Sequence, residues 1–190
     1  MKQFAMNSTK SDGTTDLAER GGAVGETIMA THETKTPRVM GIGHVALSAR
    51  DPAALAEFYR EVLGFQVVPT ETSDLGENVF LSSHPAEVLV DLALFRNPAF
   101  QHTAFEARSL SDLRTFYQLV LDRSVPVKMA LNHGVSLSFY FDDPEGHLIE
   151  VYWPTGIDCL ARHGDPIDLT LPEEALRRDV MELKPRERSK

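Results

Sequence analysis

The chain has 190 residues, of which 42% are hydrophobic, and its formal net charge is −9. This length fits one domain with tails, or two small modules that share a core. The acidic balance excludes a nucleic-acid surface, since no basic stripe is present to release counterions. No apolar run approaches the ~20 residues needed to span a bilayer, and the N-terminus lacks the apolar segment of a secretory signal. The single cysteine, Cys159, excludes an intrachain disulfide. We expect a cytoplasmic protein that binds neither nucleic acid nor membrane.

The first 38 residues are rich in Ser, Thr, Gly and Lys and show no sustained hydrophobic period. This composition predicts a flexible N-terminal tail over residues 1–38.

Residues 39–98 predict a first β-α-β-β-β module. Asp51 is a suitable N-cap, Pro52 suits the first helical turn, and Gly64 is typical of the position after a helix. Apolar residues at helical spacing lie between these signals. The predicted strands cover residues 43–49, 65–69, 78–82 and 87–95.

Residues 99–155 predict a second module of the same kind, with Ser109 or Ser111 as the helix cap. The Asp-Pro-Glu-Gly cluster over residues 142–146 is typical of a tight turn between the last two strands. The predicted strands cover residues 102–107, 125–129, 136–141 and 147–153, and the helix covers 111–123. Residues 156–190 form an extension with a short helix over 172–183 and a solvated, charged face.

The two modules repeat one sequence pattern. Residues 44–59 and 102–117 share His, two Ala, Arg, Leu, Phe and Tyr in register. Two copies of one supersecondary unit predict an α+β fold in which paired βαβββ modules form a curved mixed sheet around a metal cleft. The eight predicted strands are expected to divide into two sheets that curve around this shared cleft. His44 and His102 open equivalent strands, so they are expected to face each other as half of a metal site.

Glu150 lies in an otherwise apolar strand. A buried carboxylate must be paired, protonated or bound to a cation. A salt bridge to Arg50 or Arg108 is one interpretation, and metal ligation together with the two histidines is the preferred one. Two histidines and one carboxylate are the facial triad of non-haem Fe(II) oxygenases, although Zn, Mn, Ni and Co also accept this set.

Several segments resemble the motifs of the vicinal oxygen chelate superfamily, which includes glyoxalase I, bleomycin- and fosfomycin-resistance proteins and type I extradiol dioxygenases. These segments are residues 43–47 with 58–65, 101–105 and, as the most specific motif, 133–150. The resemblance covers about residues 39–155. The stretch 133–140, with Tyr140 ten residues before Glu150, is most similar to single-domain members of the catechol 2,3-dioxygenase type.

This resemblance implies a metal-dependent enzyme that chelates the vicinal oxygens of a small, aromatic substrate and cleaves its ring in the extradiol manner. It implies Fe(II) held by His44, His102 and Glu150, catalytic roles for Tyr140 and His133, and a homodimer. From the residues alone, Tyr140 is equally a buried structural phenol, and His133 equally a loop cap.

The sequence departs from the extradiol pattern at one position. Val90 stands where such enzymes usually carry an acid-base histidine. The repeat register also maps Glu150 onto Leu92, which removes the fourth ligand of glyoxalases, and places Asp91 on the face away from the metal. A non-oxidative glyoxalase-like lyase or isomerase, a hydrolase, and a protein that binds aromatic compounds therefore stay open as alternatives. His147 and His163 are interpreted as surface residues.

Overall fold

The computed structural model describes residues 37–69, 76–157 and 164–182. The predicted tail, apart from its last two residues, lies outside the described residues, as do Cys159 and His163. The strands are β1 (Gly41–Ser48), β2 (Gln66–Val68), β3 (Asn78–Ser82), β4 (Leu92–Phe95), β5 (His102–Glu106), β6 (Val127–Asn132), β7 (Ser136–Asp142), β8 (Leu148–Pro154) and β9 (Asp165–Pro166). The helices are α1 (Pro52–Leu63), α2 (Leu110–Asp122) and α3 (Glu173–Met181).

The strands form one mixed sheet in the order β2-β3-β4-β1-β5-β8-β7-β6-β9. Each module contributes one parallel pair, β1 with β4 and β5 with β8, and the remaining neighbours pair in antiparallel fashion. The α+β class and the paired βαβββ modules are confirmed. The expected division into two sheets is wrong, because β1 and β5 pair directly in antiparallel fashion and join the modules into one sheet. The short edge strand β9 was not predicted.

The caps explain where the two module helices begin and end. Asp51 Oδ1 accepts a hydrogen bond from the Ala54 backbone N–H at 2.9 Å, and Gly64 ends α1 with a left-handed φ of 74°. Of the two candidate caps of α2, the structure uses Ser109, whose Oγ accepts from the Asp112 N–H at 3.0 Å. Both helices therefore begin and end within two residues of the predicted positions.

The last strand of the first module is much shorter than predicted. Residues 87–91 do not join β4, because a turn occupies this segment: the backbone N–H groups of Glu87 and Val88 both donate to the His84 carbonyl. The Ser82 hydroxyl donates to the Val88 carbonyl at 2.7 Å and holds the turn closed. Side-chain bonding to the backbone has here replaced a sheet ladder.

The sheet separates a helix-covered face from a cleft face. The second module buries Leu137, Phe139 and Val151 against α2, and Leu176 and Val180 of α3 belong to the same core cluster. The C-terminal helix is therefore a covering element and not only a solvated face, which corrects the sequence interpretation. In the described ranges, no helix combines the length and apolar character needed to cross a membrane.

Candidate metal centre

Three side chains converge at the centre of the sheet, one from each of the neighbouring strands β1, β5 and β8. His44 Nε2 and His102 Nε2 lie 3.2 Å apart, and Glu150 Oε2 lies 3.3 Å from the first and 3.0 Å from the second. Within the described part of the chain, these three residues form a group whose ligand atoms all lie within 4.8 Å of one another. The fold thus brings together the two histidines that the repeat pattern predicted and the carboxylate that was expected to join them.

Glu150 is almost completely inaccessible, with 2% of its surface exposed. Burial acts to raise its pKa, yet the facing His102 and His44 imidazoles hold the pKa of this carboxyl well below its ordinary value. The carboxylate is therefore ionised in the core. Its partners are the two histidines, and not the Arg50 or Arg108 of the alternative interpretation.

The donor set fits a divalent cation. His102 Nδ1 lies 2.7 Å from the Phe100 carbonyl oxygen, so it carries the proton, and the Nε2 of a neutral His102 then presents a lone pair towards Glu150. Two acceptors at 3.0 Å are stable only with a proton or a cation between them. Two imidazoles and one carboxylate are ligands for Fe, Mn, Zn, Ni or Co.

Tyr140 and His133 border the same site. The β7–β8 register places Tyr140 directly opposite Glu150, and the Tyr140 ring contacts His102 edge-on at 5.6 Å between centroids. The Tyr140 hydroxyl and His133 Nε2 lie 3.0 Å apart. Burial, followed by the Glu150 carboxylate, raises the pKa of the phenol well above its ordinary value. Ser136 and Tyr140 line the cavity and Leu137 lies in the core, because successive side chains of a strand point to opposite faces of the sheet.

The site opens into a cavity of about 560 Å³, a volume typical of small-molecule pockets. One wall is polar and contains the triad, His133 and Tyr140. A second part of the lining is apolar and comes from the first module except for Phe100, and its members are Phe80, Val90, Ala93, Phe95 and Phe100.

A second phenol, which sequence reasoning missed, lies on the His44 side of the triad. The rings of Tyr152 and His44 lie 5.6 Å apart, and the Tyr152 hydroxyl donates to Glu106 Oε2 at 3.3 Å. Gly43 makes room for this phenol, because a Cβ there would lie 1.9 Å from the hydroxyl oxygen. The signal in the sequence was Gly43 beside His44, and a glycine alone does not identify the residue that packs against it.

The strand registers show how the two modules diverged on the cleft face. Ala46 and Ala104 follow the two histidines by two residues, and their partners are Ala93 and Glu150. Ala93 is thus the equivalent of Glu150, and the mapping onto Leu92 is wrong, because the second module is one residue shorter between these points. By the same register, Phe80 and Phe95 are equivalent to Tyr140 and Tyr152.

This correction also moves Asp91. It lies two residues before Ala93 and lines the cavity, so its predicted placement on the face away from the metal is wrong. The carboxylate is still not a fourth ligand, since Asp91 Oδ2 accepts hydrogen bonds from the Ser83 N–H at 2.6 Å and the Ser83 hydroxyl at 2.8 Å. Leu92 instead belongs to the core cluster of Leu81 and Leu94 on the α1 side.

The remaining histidines do not extend the site. Val90, at the position of the expected acid-base histidine, lines the cavity, and His84 lies in the exposed turn outside it. His147 is exposed and pairs with Asp143 at 2.9 Å, as expected of a surface residue. Among the described cavity-lining residues, His133 is the one imidazole besides the two of the triad.

A duplicated βαβββ unit with a convergent His/His/Glu group defines a metal-chelating scaffold of the glyoxalase and dioxygenase class. The model of the Glyoxalase/Bleomycin resistance protein/Dioxygenase superfamily matches residues 41–151, and the chain belongs to this superfamily.

Individual relatives include proteins named as dioxygenases and one named as a glyoxalase. Biphenyl-2,3-diol 1,2-dioxygenase 3 from Rhodococcus globerulus is 30% identical over 128 residues, which cover 62% of this chain and 64% of that protein. The chain thus spans less than two thirds of this relative. The Mn(II)-bound glyoxalase from Novosphingobium aromaticivorans is 25% identical, with a TM-score of 0.52 over 72% of this chain and 44% of that one. A catechol 2,3-dioxygenase structure, 23% identical with a TM-score of 0.51 over 70% of this chain and 45% of that one, shares the fold.

Proposed function

We propose that this protein is a metal-dependent enzyme that binds two adjacent oxygens of a small aromatic diol and opens the ring in the extradiol manner. The observation that carries the proposal is the placement of the Tyr140–His133 pair beside the His44–His102–Glu150 group within one cavity. The similarity to a biphenyl-2,3-diol dioxygenase supports the substrate class.

His44, His102 and Glu150 would hold the metal, and Fe(II) is the preferred ion because two histidines and one carboxylate leave coordination positions open. A bound ion of this kind supplies a Lewis acid for the two substrate oxygens and, if it is iron, the redox chemistry that O2 requires.

Tyr140 is suited to orient the substrate. Its raised pKa keeps the phenol protonated at neutral pH, so it can donate a hydrogen bond to a substrate oxygen that becomes negatively charged. The cross-strand position opposite Glu150 keeps the hydroxyl close to the triad.

His133 is the residue suited to move protons. Val90 cannot do so, and His133 lies within hydrogen-bond distance of the Tyr140 hydroxyl. An imidazole nitrogen can accept a proton and return it, so the pair can pass a proton between the diol and the imidazole. A positioned acid or base of this kind contributes about 10²–10⁴-fold to a rate.

The test uses protein loaded anaerobically with Fe(II) and then mixed with O2 and either catechol or 2,3-dihydroxybiphenyl. We expect a yellow ring-fission product and equimolar O2 uptake. His133→Asn should lower turnover by about 10²–10⁴-fold with unchanged metal content, whereas His84→Asn, in the exposed turn, should leave it unchanged. Stoichiometric metal without O2 uptake on either diol would contradict ring cleavage.

A non-oxidative reaction is the second candidate, and Val90 is the observation that favours it. A lyase, isomerase or hydrolase that uses the same chelation needs no acid-base group at this position, and the glyoxalase similarity is of this kind. Turnover of a hemithioacetal with Mn(II) or Zn(II), in the absence of O2 uptake, would select this candidate. A protein that only binds aromatic compounds would show diol affinity without turnover under either condition.

A further inference from the structure

A half-buried carboxylate next to the triad has no role in the reaction proposed above. Glu106 ends β5 and stands opposite Tyr152 in the β5–β8 register, and both side chains line the cavity. The Tyr152 hydroxyl donates to Glu106 Oε2, while the Tyr152 ring contacts His44. The phenol thus links the carboxylate to the His44 side of the triad.

Apart from the imidazoles, the ionisable acid and base side chains that line the cavity among the described residues are carboxylates and phenols. Besides Glu150, the carboxylates that line it are Glu87, Asp91 and Glu106, and no lysine or arginine from the described ranges lines it. Asp91 is bonded to Ser83, and Glu87 is exposed to solvent at the rim. Among the lining carboxylates of the described residues, Glu106 is therefore the half-buried one that has neither a serine partner nor a cation beside it.

We propose that Glu106, held in place by Tyr152, determines substrate specificity by charge, so that the cavity accepts aromatic diols with neutral or cationic ring substituents and rejects those that bear a carboxylate. The inference rests on the proposed function, because a diol must first be chelated at the triad. A carboxylate on the ring would share the cavity with the Glu106 carboxylate, and like charges a few ångströms apart repel each other. An ammonium substituent would be attracted by the same residue.

The test measures binding and not turnover. Zn(II)-loaded protein carries out no O2 chemistry, so calorimetric titration reports equilibrium affinity alone. The probes are 3,4-dihydroxyphenylacetamide and 3,4-dihydroxyphenylacetate, which have nearly the same shape and differ by one charge. We expect the amide to bind at least tenfold more tightly, and 2-(3,4-dihydroxyphenyl)ethylamine to bind at least as tightly as the amide.

Three variants identify the residue responsible. Glu106→Gln should reduce the amide-to-acetate affinity ratio to within about threefold of unity and weaken the amine, with amide affinity unchanged. Tyr152→Phe keeps the carboxylate but removes the hydrogen bond that holds it, so it should reduce the ratio without abolishing the discrimination. Glu87→Gln removes the same charge from the rim and should leave the ratio unchanged.

The outcomes separate the two proposals. Equal affinity of amide and acetate in the unaltered protein, or an equal effect of Glu87→Gln, overturns the role of Glu106 and leaves chelation intact. Failure of all three diols to bind metal-loaded protein overturns chelation and the charge selection with it. Discrimination without ring cleavage contradicts only the oxidative reaction.

Discussion

The close contact between Gly43 and Tyr152 predicts a large effect from the smallest possible substitution. In Gly43→Ala, the new Cβ would lie 1.9 Å from the Tyr152 hydroxyl oxygen and 2.6 Å from Cε1 and Cζ of the ring. Such distances cannot be accommodated by small adjustments, so the phenol must leave its position. It then loses its hydrogen bond to Glu106 and its contact with His44.

The expected cost follows from these losses. Overpacking of this kind costs about 1–3 kcal/mol, and the lost hydrogen bond adds about 1 kcal/mol. Gly43→Ala should therefore reduce the free energy of unfolding by about 2–4 kcal/mol, a Tm decrease of roughly 5–15 °C for a domain of this size. Since the ring also supports a ligand histidine, metal affinity should fall by roughly tenfold or more.

Urea unfolding and calorimetry of the metal-free protein measure the effect, with Gly164→Ala as control, because a Cβ at Gly164 meets nothing within 4 Å. Tyr152→Phe should not relieve the clash, since the ring carbons remain, whereas Tyr152→Ala should reduce the cost of Gly43→Ala to about 0.5 kcal/mol or less. A cost that persists in the Tyr152→Ala background would refute the reasoning.

Three further predictions concern carboxyl and phenol groups of the cavity. Glu150→Gln should keep the fold and lose most bound divalent metal, because an amide is a poor substitute for an anionic ligand. Metal analysis checks this, with Glu145→Gln on an exposed turn as the control. Stoichiometric metal in the Glu150 variant would remove this residue from the site. Tyr140→Phe should weaken binding of 4-nitrocatechol to the metal-loaded protein by about 1–3 kcal/mol. Spectroscopic titration measures the affinity, and thermal melting measures the stability of the variant. Unchanged affinity with a large loss of Tm would make the phenol purely structural. Burial acts to raise the pKa of Asp91, but hydrogen bonds from Ser83 hold this pKa below its ordinary value. The ionised carboxylate therefore stabilises the fold above pH ~4, and this stabilisation is lost as the pH falls through the lower pKa of the folded state. Urea titrations should show Asp91→Asn costing about 1–2 kcal/mol at pH 6 and progressively less below pH 4, and a pH-independent cost would contradict the assignment.

The sequence was sufficient for features that depend on local chemistry or on the repeat. The cap residues Asp51 and Ser109 act as predicted, because capping involves only neighbouring backbone groups. The grouping of His44, His102 and Glu150 followed from the repeat and from the cost of burying a lone carboxylate.

Features that depend on a single insertion or on tertiary contacts could not be predicted. The equivalence of Ala93 and Glu150 escaped the repeat register because one missing residue reverses the face of a strand. The Tyr152–Glu106 pair joins strands that are distant in sequence. The loss of residues 87–91 from β4 depends on hydrogen bonds from Ser82 and Ser83 that compete with the sheet.

The divergence of the two modules across the cleft has a consequence for how new activities can arise on this scaffold. The duplicated positions hold Tyr140, Glu150 and Tyr152 in one copy, and their equivalents in the other are Phe80, Ala93 and Phe95. Apart from His44, the apolar copy contributes no side chain to the triad, so substitutions at Phe80, Ala93 and Phe95 can alter the shape of the bound molecule while the reactive groups stay fixed. A library confined to these three positions therefore varies the substrate and keeps the chemistry constant. A library confined to Tyr140, Glu150 and Tyr152 varies the chemistry and keeps the apolar side of the cavity constant.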